Sequence, residues 1–210
     1  MGTSDYNIST AELICIFDNA LDRSAFIWDY QGFKTDGNNE FYIAFIGKYI
    51  DGSKSEALED AIELSIALDY FKLPHLHVIE KHLLSNLDDD AKLLCLDWLR
   101  YFFKHIPKND FERLNRHALQ HNKSDLLKVQ AILNLLMVKN DEQLITVLKK
   151  VIAKTLLPAV FYRVINMFDI ELEDIKELVR MDIKVIIENS IVLTKPQKDI
   201  LTARILRGLV

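Results

Sequence analysis

Residues that break a chain are scarce in this 210-residue sequence. It has four prolines and six glycines, and Gly32, Gly37, Gly47 and Gly52 all fall in one N-terminal stretch. Beyond that stretch little stands in the way of continuous helix. Cysteine is nearly absent: Cys15 and Cys95 lie in the apolar runs ELICIF and KLLCLD, with no CxxC spacing. A disulfide scaffold is therefore not expected, and both thiols read as buried small hydrophobes in a reducing compartment. No uncharged apolar run is long enough for lipid, because the most apolar segment, Leu144 to Phe168, contains Lys149, Lys150, Lys154 and Arg163. The opening MGTSDYNIST has no basic region followed by an apolar one, and Tyr6 stands where a myristoylation signal needs Ser or Thr. The expectation is a cytoplasmic protein with no membrane partner. Also missing are a P-loop, a dinucleotide glycine fingerprint, a GxSxG elbow, an HExxH helix and a plausible catalytic Cys. No cofactor is implied, and the chain is expected not to be an enzyme.

Half of the residues are hydrophobic, enough for one continuous core or one stack. Between Asp88 and Thr155 one pattern is written twice: a capped apolar helix, a short polar break and a second helix. The starts are signalled by Asp88 before Asp89 and Asp90, by Asn109 three residues before Glu112, by Ser124 before Asp125, and by Asn140 three before Gln143. The acidic groups at helix starts, Asp88 to Asp90 and Glu171 to Asp174, read as caps that complement the helix dipole. Similar apolar segments begin at Ala61, Cys95, Ala131 and Val164, at spacings of 34, 36 and 33 residues. A period in the thirties with two helices per unit marks stacked helical hairpins, each burying its apolar face against its neighbours.

This pattern resembles the HEAT-like and related helical-repeat families over roughly residues 53 to 182. It lacks the fixed Trp, Gly, Tyr and Pro of tetratricopeptide repeats and the Thr-Pro-Leu-His of ankyrin repeats. The resemblance implies an all-α fold, a short right-handed α-solenoid or superhelix of antiparallel hairpins, and it carries no functional residues across. The alternative is an irregular helical bundle whose hairpins have similar lengths. Residues 1–210 are expected to form one all-helical domain: 1–52 an N-terminal cap with a loop, 53–182 the hairpin repeats, and 183–210 C-terminal capping helices. Ser9 with Glu12, and Ser53 with Glu56, are capping boxes that open the helices of residues 10–22 and 53–71. Leu73-Pro74 restarts the chain, and residues 40–50 read as helix rather than strand.

Charge is unevenly placed. Residues 1–105 hold 18 acids and 9 bases, while residues 106–210 hold 13 acids and 17 bases. Under the hairpin reading the second helices repeatedly carry cationic or titratable residues: His75, His77, Lys81 and His82; Arg113, Arg116, His117 and His121; Lys149, Lys150 and Lys154. Equivalent helices line up in a solenoid, so these eleven residues are expected to form one partner-binding stripe. The bland alternative is a solvated helix face rich in good helix formers. His117 and His121 have the i, i+4 spacing of a metal pair, with His82 or Glu80 as a third ligand, yet a lone HxxxH is weak evidence and no metal is assigned.

The expected function is therefore a non-enzymatic scaffold that binds another protein, in the manner of a stoichiometric inhibitor or immunity-type protein. Nucleic-acid binding through the Lys/Arg/His stripe is the alternative, disfavoured by a pI near 5.7. A metal-dependent enzyme at the His cluster is the third reading.

Overall fold

The computed structural model describes residues 15, 19, 46–48, 58–67, 69–86, 88–170 and 177–207. Among them nine helices and no strand occur: α1 (Leu58–Ala67), α2 (Leu73–Leu83), α3 (Asp89–Tyr101), α4 (Lys108–His121), α5 (Asp125–Val138), α6 (Glu142–Lys154), α7 (Pro158–Ile170), α8 (Glu177–Asn189) and α9 (Lys195–Arg207). The protein is all-helical, as its periodicity and shortage of Gly and Pro predict. The capping box at Ser9 and Glu12, the rest of the helix of residues 10–22 apart from Cys15 and Asn19, the start of the helix at Ser53 and the loop before residue 40 lie outside the described residues. Within 40–50, residues 46–48 are helical, with Ile46 buried. Cys15 is exposed, which corrects the expectation of two buried thiols; Cys95 is buried in α3 as expected. No helix among the described residues is long and apolar enough to cross a membrane.

The chain divides into two compact units, one up to Lys81 and one from His82 onward. In the first, α1 buries Leu58, Ala61, Ile62 and Ser65, at helical spacing. The Ser65 hydroxyl is satisfied by donating to the Ile62 carbonyl at 2.7 Å. The helix ends without glycine. Asp69 takes a left-handed conformation (φ 53°), its N–H donates to the Ile66 carbonyl at 3.1 Å, and the Tyr70 N–H reaches back to Ser65 at 2.9 Å. This is the Schellman closure, with Asp in the place usually held by Gly.

In the second unit, α5 is the central helix. It packs against α3, α4, α6 and α7; α7 also meets α9, and α8 meets both α6 and α9. Alternate helices thus pack in succession, α3 to α5 to α7 to α9, an order compatible with a helical repeat. α5 is buried on every side, from Leu127 to Leu136 apart from Lys128. Two of those buried residues are polar and hydrogen-bonded. Asn134 Nδ2 donates to Asn115 Oδ1 of α4 at 2.8 Å and to the Leu96 carbonyl of α3 at 3.0 Å, and Gln130 Nε2 donates to Asn134 Oδ1 at 2.7 Å. Asn115 Nδ2 in turn donates to the Phe111 carbonyl at 2.8 Å. The cluster ties three helices into one register. Trp98, Phe102 and Phe111 are also buried, while Tyr101, beside Phe102 in sequence, faces solvent.

Helix starts follow the caps with two corrections. Asp88 caps α3, its carboxylate accepting the Ala91 N–H at 2.8 Å, and Ser124 precedes α5 as expected. α4, however, begins before Asn109. Pro107 is its cap residue, and the Pro107 carbonyl accepts the N–H groups of Asp110 and Phe111 at 3.0 Å each, because the fixed φ of proline suits a helix entry. α6 is capped by Asp141, not Asn140; its carboxylate accepts from Gln143 and Leu144 N–H and adds a favourable charge at the positive end of the helix.

Candidate functional site

The eleven residues of the expected stripe have different fates. His75 is 0% exposed, so it is not part of any surface face; its ring packs 5.9 Å from that of Tyr70. Two residues later along α2, His77 is exposed, as is Lys81, and His82 is half-buried. The alternation follows helical periodicity: His75, Leu76, Ile79 and Leu83 form the buried face of α2.

On α4 the buried residues Phe111, Leu114, Asn115 and Ala118 turn Arg113, Arg116 and His121 outward, with His117 half-buried beside them. Most of this charge is answered on the same helix. Arg113 pairs with Asp110 at 3.3 Å, and Glu112 lies 3.9 Å from both Arg116 and Lys108. His117 and His121 stack at 4.4 Å between ring centroids. Burial holds the His117 imidazole below its ordinary pKa, helped by the neighbouring His121, Arg113 and Lys92.

On α6 the buried face is Leu144, Ile145, Leu148 and Ile152. Lys149 pairs with Asp182 of α8. Lys150 and Lys154 are exposed and form no ion pair among the described residues. They lie one turn apart on the same helix face. α4 and α6 come together where Glu112 and Arg116 share a small hollow with Asp141 and Leu144. The structure therefore places the cationic residues of α4 and α6 in one unit, but leaves only part of their charge uncompensated.

A feature that the sequence reading missed lies between α6 and α8. A groove of about 330 Å³ is lined by Ile152, Lys154, Leu156, Val185, Ile186 and Ile191, among others. Leu156 is 70%, Val185 51% and Ile191 92% exposed. Isolated exposed apolar residues are ordinary, but several around one depression mark a contact surface. The two helices run in the same direction, since Lys149 meets Asp182 and one turn further on Ile152 and Ile186 line the same groove. The available sequence signal was apolar residues in interhelical links, Leu156-Leu157 before Pro158 and Ile191-Val192-Leu193, where polar residues are usual.

A groove of this size is at the low end for small-molecule pockets, and the polar groups among these lining residues are Lys154, Thr155, Asn189 and Ser190. Thr155 Oγ1 already accepts the Leu157 N–H at 3.2 Å, and Asn189 Nδ2 donates to the Val185 carbonyl at 2.9 Å. The arrangement suits an apolar anchor. Among the described residues no three His, Cys, Asp or Glu side chains are grouped so as to hold a metal ion, His117 and His121 included. Compared with protein-family models, with curated proteins and with solved structures, the chain matches none.

Proposed function

We propose that this protein is a non-enzymatic scaffold that binds another protein through the side of its second unit formed by α6 and α8. The observation that carries this reading is the apolar groove with Leu156, Val185 and Ile191 exposed around it and Lys154 in its lining. Exposed apolar side chains that converge on a depression are stabilised when a partner covers them, and the flanking charge adds specificity. We further propose that the packing order is that of a short α-solenoid of the HEAT-like kind, with α3, α5, α7 and α9 in one layer and α4, α6 and α8 in the other. The second layer then presents a preformed, rigid face, which suits a stoichiometric inhibitor of the immunity type by analogy of architecture.

The test is site-specific photo-crosslinking in extract of the source cell, with the photoreactive residue at Ile191 or, as a control, at the exposed Ala203 of α9. A protease-sensitive adduct of defined mass at position 191, competed by unlabelled chain and absent at position 203, supports the reading. A nuclease-sensitive adduct favours nucleic-acid binding and contradicts it, as does equal labelling at both positions.

A further inference from the structure

We infer that the groove between α6 and α8 takes an acidic amphipathic helix of the partner protein, its apolar stripe set against Leu156, Val185 and Ile191 and its carboxylates facing Lys150 and Lys154. This rests on the protein-binding reading above and names the chemistry of the occupant.

Three observations lead to it. The first is size: about 330 Å³ is roughly twice a cavity that holds benzene, about 150 Å³, so it receives one or two anchor side chains and not a whole domain. The second is shape: two parallel helices, α6 and α8, flank the groove with their C-terminal turns and the links that follow them, a setting in which a helix lays apolar residues at i, i+3, i+4 and i+7. The third is charge. The carboxylates of α8 near the groove are answered within the chain, Asp182 by Lys149 and Glu188 by Lys184 at 3.1 Å, while Lys198 donates to the Glu188 carbonyl at 2.9 Å. Lys154, which lines the groove, and Lys150, one turn before it on α6, have no such counterpart among the described residues, so this end of α6 carries a cationic surplus. Their i, i+4 spacing matches carboxylates one turn apart on an opposing helix.

The experiment uses the full chain and three labelled synthetic peptides of about 15 residues, the length at which an isolated helix becomes marginally stable. The first has Leu at i, i+3, i+4 and i+7 on a Glu- and Ala-rich helix, the second replaces every Glu by Lys, and the third scatters the Leu residues. Fluorescence anisotropy is expected to show the first binding in the micromolar range and at least about ten-fold tighter than the other two. Leu156→Ser with Ile191→Ser weakens the first peptide about ten-fold at unchanged melting temperature, and Lys150→Glu with Lys154→Glu reverses the preference toward the Lys peptide. Equal binding of the Glu and Lys peptides overturns the inference, as does equal binding of the scattered peptide. A dimer in sedimentation that Leu156→Ser with Ile191→Ser dissociates also overturns it, since a second copy then fills the groove. If any of these occurs while position 191 still crosslinks to a protein, the occupant is wrong and the protein-binding function stands. If that crosslink is absent too, both fall.

Discussion

The second unit is polar at its centre and apolar at one edge. Gln130, Asn134 and Asn115 sit at 0% exposure in the middle of α3, α4 and α5, while Ile191, Leu156 and Val185 stand in solvent between α6 and α8. Both regions break the rule that puts apolar groups inside and polar ones outside, and the difference is where their needs are met. Asn115 and Asn134 are satisfied by one another, by Gln130 Nε2 and by the carbonyls of Leu96 and Phe111, and of the three amides only Gln130 Oε1 is left without a partner. The exposed apolar groups have no such cover in the described chain. A departure answered within the chain reads as fold specificity, and one left open reads as a place for a partner.

The strongest way to break this contrast is at the centre. Ala131→Asp places a carboxylate at a fully buried position of α5 and is expected to unfold the protein or sharply lower its melting temperature, since an unpaired buried charge costs several kcal/mol. A soluble variant with unchanged melting contradicts the position of α5. Next, Asn134→Ala leaves Asn115 Oδ1, the Leu96 carbonyl and Gln130 Nε2 without their partner. The expected loss is about 2–4 kcal/mol in urea unfolding, because each orphaned buried group costs about 1–3 kcal/mol and some recover water. Replacing Asn115, Gln130 and Asn134 together by Leu is expected to recover most of that loss, since an apolar substitute removes the need as well as the bond. If the triple variant is as unstable as Asn134→Ala, the cluster does more than satisfy itself.

A smaller effect is expected from pH. The folded His117 resists protonation, while in the unfolded chain it takes up a proton near its ordinary 6.5. The unfolded state then binds more protons, so stability falls as pH drops below about 6.5 and levels off once the folded ring is protonated. In thermal melts, His117→Gln is expected to flatten that fall; equal slopes in parent and variant contradict the placement of His117.

Much of the fold was legible because its signals are local. The span of α5, the cap at Asp88, the start of α9 after Thr194 and the register of Ala131 and Cys95 follow from caps and apolar spacing. At α9 the Thr194 N–H donates to Gln197 Oε1 at 2.9 Å, half of a capping box. The misplaced starts at α4 and α6 came from choosing Asn where Pro107 and Asp141 act, a choice between neighbouring acceptors that composition does not make. The candidate site was less legible. His75 looks like any helix-surface imidazole until tertiary packing turns it inward, and Arg113 and Arg116 look like a binding ridge until Asp110 and Glu112 are seen to answer them. The groove escaped notice because its residues come from two links and two helix ends, far apart in sequence and of a type ordinarily assigned to the core.

The most direct test joins the two halves of the contrast at the groove. Leu156→Ser with Val185→Ser removes exposed apolar surface, and surface changes away from packing move stability by about 0.5 kcal/mol or less each. Introduced into the chain carrying the photoreactive residue at position 191, these changes are expected to cut the yield of the protein adduct at least about ten-fold while the melting temperature stays within a few degrees of the parent. Unchanged adduct yield at unchanged melting contradicts the assignment of this groove as the partner-binding face.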